Sequence, residues 1–324
     1  MSMADNKNLG ERFSNDQYLT YNQVAVELKT TLIDGIWRGV LEYREKFTLP
    51  LTIRTVDKNR FKVVLTPKIT EKINLIERKL NKLLINYSTF VQNDDYKQEF
   101  GLIQAKNIIS NIAQVYNVET SESFYQQLVT NHTSSLTPSE MILLDYYRAI
   151  KYIQNNVEAP LDQNFIAGLA DIFDATDGQQ YIYRTEEVKD QSQKALINKL
   201  FVAAPVNLIE DMVEDLLDFM QVSSASMFVK FVAIFFYFSY IKPFNYHSEE
   251  MALLFAKAFL QRHDLETVAP MLNLEVIHDE LKDTLDDTML EVKKSNDLTY
   301  LVTFFADVFL TQINQFDDLV VDIR

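Results

Sequence analysis

From Phe231 to Ile241 the chain is apolar or aromatic at every position but Ser239. A helix apolar on all sides has no solvent face, so this run predicts an element through the middle of a core. It is too short to span a bilayer, which takes about 20 residues. Lys242-Pro243 breaks the run, because proline cannot continue the helical ladder and disfavours helix at the residue before it. After a short loop Ser248 is placed to cap a second helix, with Glu249 and Glu250 in its first turn. Met251, Leu254, Phe255, Ala258 and Phe259 give that helix a wide apolar face.

Most of the remaining chain also shows helical spacing. Val24, Leu28, Ile33, Trp37, Val40 and Leu41 predict one or two helices after a loose polar tail over 1–15. Residues 51–65 switch to a period near two around Asp57-Lys58-Asn59 and predict a β-hairpin. Thr70 is placed to cap a helix carrying Ile73, Ile76, Leu80, Leu83 and Leu84. Further helices are predicted over 100–115, from Thr137-Pro138, from Pro160-Leu161-Asp162, over 205–220, over 273–293 and from Asn296-Asp297-Leu298-Thr299 onward. Asp177-Gly178 reads as a turn.

Composition narrows the class. With only 6 Gly and 7 Pro in 324 residues, an all-β protein rich in tight turns is disfavoured. A net charge of −15 argues against nucleic acid and anionic membrane as partners. The absence of cysteine excludes disulfides and thiolate zinc sites. The polar N-terminus has no apolar segment of the signal-peptide kind, so the expected compartment is cytoplasmic. No Gly-x-Gly-x-x-Gly, P-loop or His-Glu-x-x-His is present. His247 with Glu250 and Glu275 with His278 are each three apart, but a carboxylate-bridged di-metal site needs more Glu and His than this, so no metal is expected.

The central unit resembles the signature of the Fic (Fido) family: an apolar helix, then H-P-F-x-[D/E]-G-N-G-R-x-x-R opening a second helix. Aligned without a gap, this chain reads K-P-F-N-Y-H-S-E-E-M-A-L from Lys242 to Leu253. Arg184 and Val188 match the G-x-x-R-x-x-x-V spacing of the family's flap, placed here over 181–204. The helices from Thr137, Pro160 and Asn296 resemble the family's in order. Residues 110–114 are the nearest match to its inhibitory motif, with Ala113 at the Glu position. The resemblance implies a mostly α protein: a Fic-type helical bundle with a β-hairpin flap over 100–324, plus an N-terminal accessory lobe over 16–99 holding helices and a small β-hairpin.

Family enzymes attach AMP or another phosphate-bearing group to a target hydroxyl, and the resemblance assigns each motif position a task. Pro243 and Phe244 are retained, but Lys242 stands at the general-base His; an unperturbed lysine titrates near ~10.4. Tyr246 stands at the metal-holding acid, His247 and Glu249 at the two glycines, Ser248 at the Asn, and Glu250 and Leu253 at the arginines. A phosphate nest needs free N–H groups, a positive field and close backbone approach, and two carboxylates here oppose all three. The resulting expectation is a Fic-fold pseudoenzyme without catalytic residues, cofactor or metal, acting on an unidentified protein partner, with a homo-oligomer also open. The alternative is a nucleotide-dependent transferase with a non-standard site using Lys242.

Overall fold

The computed structural model describes residues 8–31, 33–90, 92–130, 136–173, 183–188, 203–263, 265 and 268–323. The apolar run forms helix α9 (Met227–Ile241), buried at every position from Phe231 to Ile241. Before it in the chain come α1 (Tyr21–Leu28), α2 (Asp34–Glu45), β1 (Thr48–Arg54), β2 (Arg60–Val64), α3 (Pro67–Phe90), α4 (Asp94–Val115), α5 (Glu122–Thr130), α6 (Pro138–Asn155), α7 (Gln163–Ile172) and α8 (Ile209–Val222). After it come α10 (Ser248–Gln261), α11 (Lys282–Ser295) and α12 (Thr299–Ile323). No helix among the described residues is long and apolar enough to cross a membrane.

Aromatic edges surround α9. Phe228, Phe231 and Phe235 meet Phe305 and Phe309 of α12 edge to face, an arrangement favoured by the ring quadrupole. On another side Phe61 of β2 packs edge-on to Phe236, Tyr237 and Tyr240. The polar tips of these tyrosines are satisfied on the hairpin: Tyr237 donates to Arg54 O at 2.8 Å, and Tyr240 accepts from Val56 N at 3.2 Å. Lys62 and the turn before α12 exchange backbone bonds, Lys62 N to Asn296 O at 2.9 Å and Leu298 N to Lys62 O at 2.8 Å. One hydrophobic core therefore runs from Leu51 to Val320, and a second small one gathers Phe13, Val24, Ile33, Ile36 and Val40.

Buried Arg44 links that small core to the large one. Its guanidinium donates to Ser14 Oγ, Phe13 O, Leu19 O and Tyr300 Oη and lies 3.8 Å from the centre of the Tyr18 ring. Residues 12–16 form a π-helical turn with Phe13 and Ser14 buried, so the expected loose tail does not extend over residues 8–15.

Three expected boundaries are corrected. The third helix opens at Pro67, since proline at the first helical position needs no N–H partner, and Thr66 rather than Thr70 accepts from Ile69 N at 3.4 Å. The helix expected over 273–293 is broken: a 3₁₀ turn Leu274–Ile277 precedes α11, and Glu275 in that turn is wholly buried. Ser248 is not an N-cap. His247 takes that position with left-handed backbone, φ 59°, while Ser248 Oγ accepts from Phe244 N at 3.2 Å and donates to Phe244 O at 3.0 Å. The expected turn at Asp177-Gly178 and most of the flap lie outside the described residues.

Candidate functional site

At its C-terminal end α9 leads into the loop that carries the motif. Lys242 adopts left-handed backbone, φ 48°, and its N–H returns to Phe238 O, closing the helix. Phe244 is buried, against Phe238 and Tyr183. Arg184 then fixes the loop from outside. Its side chain, fully buried, donates to Lys242 O at 2.7 Å, to Glu186 O at 3.0 Å and to Ala204 O, and its backbone N–H donates to Pro243 O at 2.9 Å. Ala204 N reaches Ile241 O at 3.3 Å, so residues near both ends of the flap segment are tied to the end of α9 and the loop after it. Val188 is half-buried.

The charged side chains of the loop are taken up by one another. Lys242 Nζ lies 3.9 Å from Glu249, which also pairs with Lys282 Nζ at 3.2 Å. Burial pushes the Glu249 carboxyl up, but Lys282, Lys242 and His278 outweigh it and hold the group below the usual carboxylate range. Glu250 accepts the hydroxyl of Tyr116, and the same hydroxyl lies 3.0 Å from His247 Nδ1. The His247 ring stacks on Phe173, centroids 5.2 Å apart. Burial likewise opposes the Glu250 charge, yet His247, His278 and Tyr116 pull its carboxyl down to about 2. Tyr246 is exposed and Leu253 is wholly buried in apolar core.

Tyr116 is the residue that caps α4 at its C-terminal end. Burial first, then the Glu250 charge, raises its hydroxyl pKa, which keeps it a donor. Within the segment matched to the inhibitory motif, Ala113 is buried among apolar side chains, and Asn111 donates to Asn273 Oδ1 at 2.9 Å. Tyr116→Phe removes a charge-assisted bond and should cost ~1.5–3 kcal/mol, read as a lower urea midpoint. An unchanged midpoint would mean that solvent replaces the hydroxyl.

Beneath the loop lies a buried charge cluster that periodicity did not reveal. Lys257, on α10, meets both oxygens of Glu275 at 2.6 and 2.8 Å, and Tyr146 donates to Glu275 Oε1 at 2.8 Å. Both charged side chains are fully buried. His278, also buried, has its pKa lowered by desolvation against the pull of Glu250, Glu249 and Glu275. Glu275 is thus taken up by Lys257 and Tyr146, while His278 Nε2 is buried without a hydrogen-bond partner, and no metal-binding cluster occurs among the described residues. The sequence signal was present: Lys257 is a lone cation on a helix that is otherwise apolar from Met251 to Leu260.

The overall fold has counterparts among solved structures. A Fic family protein from Desulfovibrio desulfuricans superposes with a TM-score of 0.61 at 15% identity, over 80% of this chain and 76% of that one. The chain has the Fic fold. A Fic domain containing signaling protein from Bacteroides thetaiotaomicron superposes with a TM-score of 0.56 at 14% identity, over 78% of this chain and 98% of that one. No family model and no curated protein matches the sequence. The Fic fold accounts for the order helix, loop, helix at the centre, and at such identity it carries the fold alone.

Proposed function

We propose that this Fic-fold protein is a pseudoenzyme, a protein-binding or regulatory module whose AMP-transfer site has been lost. In this reading residues 16–99 are an accessory lobe to a Fic-like unit at 100–324, and Lys242 to Leu253 are structural rather than catalytic. The observation that carries it is the pair of carboxylates in the first turn of α10, Glu249 and Glu250, both held ionised by their surroundings. They occupy the positive end of the helix dipole, where triphosphate would have to bind. Two unit charges 4 Å apart at an effective dielectric near 20 repel by ~4 kcal/mol, about a thousandfold in affinity. Lys242 Nζ, 3.9 Å from Glu249, supports its reading as an ion-pair partner.

A thermal-shift titration with ATP and other nucleotides, with and without Mg²⁺, tests this. A ligand at a hundred times its dissociation constant stabilises the native state by ~2.7 kcal/mol. The expected result is no shift. A Mg²⁺-dependent shift abolished by Lys242→Ala would establish the transferase alternative.

The same carboxylates predict an acid response. A carboxyl depressed in the folded state contributes stability above its unfolded pKa, and that contribution fades as pH falls through the folded value. For Glu250 the window runs from the ordinary carboxylate range down to about 2. The contribution is on the order of 2 kcal/mol once partial exposure is allowed for. Glu250→Gln should therefore be less stable than the parent at pH 7, with the gap narrowing toward pH 2. A gap independent of pH would assign the loss to packing.

A further inference from the structure

The amide-lined trough between α4 and α12 is separate from the motif loop and has no part in the reading above. It encloses about 700 Å³ and continues into a neighbouring hollow of about 350 Å³. One wall is a stripe of carboxamides on α4 at positions 104, 107, 111 and 114, the spacing of a single helix face. The facing wall on α12 adds Gln312 and Gln315, and Asn273 closes the floor. A stripe of this kind facing another helix would ordinarily be apolar.

Two of these amides make the trough more than a polar surface. Gln104 is 4% exposed and Gln312 7% exposed, and neither side chain is hydrogen-bonded to another described residue. Both line the hollow, and neither carboxamide is sealed from it. A carboxamide without a protein partner bonds to whatever fills the space it faces. Here the donors and acceptors are turned toward the open space between the helices.

The rim supplies a sign. Glu280, Asp307, Asp318 and Asp322 border the trough, and among the described residues no lysine or arginine lines it. Asp307 is paired with Lys72 at 2.6 Å, whereas Glu280, Asp318 and Asp322 have no ion pair among the described residues. We infer that this trough binds an extended peptide segment carrying lysine or arginine, its backbone bonded by the carboxamides and its cations by the rim carboxylates. A carboxamide offers both a donor and an acceptor, matching the one N–H and one C=O per peptide unit. The stripe from 104 to 114 rises ~15 Å along α4, enough for four or five residues of extended chain at ~3.3 Å each. The inference gives the proposed protein-binding role a surface, and rests on that role only for the partner's being a protein.

Selection of a phage-displayed random heptapeptide library on the full chain, followed by fluorescence anisotropy of the synthesised winners, tests it. The winners should carry two or more lysines or arginines and weaken tenfold or more in 0.5 M salt. Gln104→Leu with Gln312→Leu should cost tenfold or more in affinity, and so should Asp318→Asn with Asp322→Asn. The second pair is exposed, so it reads out binding even where the first disturbs folding, which each variant's melting temperature reports. No enrichment over the bare support, winners without cations, or affinities unchanged in both pairs would overturn the inference. Binding of neutral oligosaccharides in place of peptides would overturn it as well. Those failures leave the nucleotide titration untouched, and a nucleotide shift would overturn the loop reading without touching the trough.

Discussion

Lys257→Met should destabilise the protein by ~3–5 kcal/mol, because it leaves the Glu275 carboxylate buried with only a tyrosine hydroxyl for company. Burial already opposes the Lys257 charge and lowers its pKa, with Glu275 pulling the other way. The pair therefore holds two costly charges against each other rather than adding a large net gain. The double change Lys257→Met with Glu275→Leu should recover more than half of the loss, leaving mainly the unpaired Tyr146 hydroxyl. Urea midpoints of the parent, the two single variants and the double variant form the cycle that measures the coupling. A double variant no more stable than Lys257→Met would show that packing around the lysine stem, not its charge, is what the site requires.

Arg184→Ala is the second large effect expected, at ~3 kcal/mol or more. It strips the donors from the carbonyls of Lys242, Glu186 and Ala204 in one step. Each buried acceptor left without a donor costs ~1–3 kcal/mol, and such losses are not additive. The loss should be local as well as global: amide hydrogen exchange across 241–248 should accelerate more than in the middle of α9. Arg184→Lys should rescue little, because one ammonium cannot reach carbonyls that a planar fork spans. Uniform acceleration along the chain would place Arg184 in the general core rather than at the loop.

The fold was legible in the sequence to the extent that burial follows periodicity. The apolar run to Ile241, the break at Lys242-Pro243 and the spacing of Met251, Leu254 and Phe255 specify the central pair of helices without reference to anything distant. The alternation over 51–65 specified the hairpin for the same reason. Periodicity was silent where a residue serves a partner far along the chain. Glu275 reads as an ordinary helical position, yet Lys257 draws it inward and the helix expected over 273–293 breaks there. Ser248 has the chemistry of a cap, but the left-handed turn at His247 moves the helix start and leaves the hydroxyl bonded to Phe244.

For the candidate site, the residues alone determined that the loop between the two central helices has no glycine and leads into two carboxylates, Glu249 and Glu250. That is a matter of chemistry at each position and needs no coordinates. Only the tertiary structure decided how these charges are accommodated. Tyr116 arrives from the end of α4, Lys282 from the start of α11 and Arg184 from the first residues of the flap segment, none of them near the loop in sequence. The same holds for the trough, where the amide stripe of α4 acquires meaning only because α12 faces it without filling the space between. A sequence specifies which groups must avoid water or find a partner, through terms that are local to each side chain. Which partner each group finds depends on how distant helices pack, and that is settled only when the chain closes on itself.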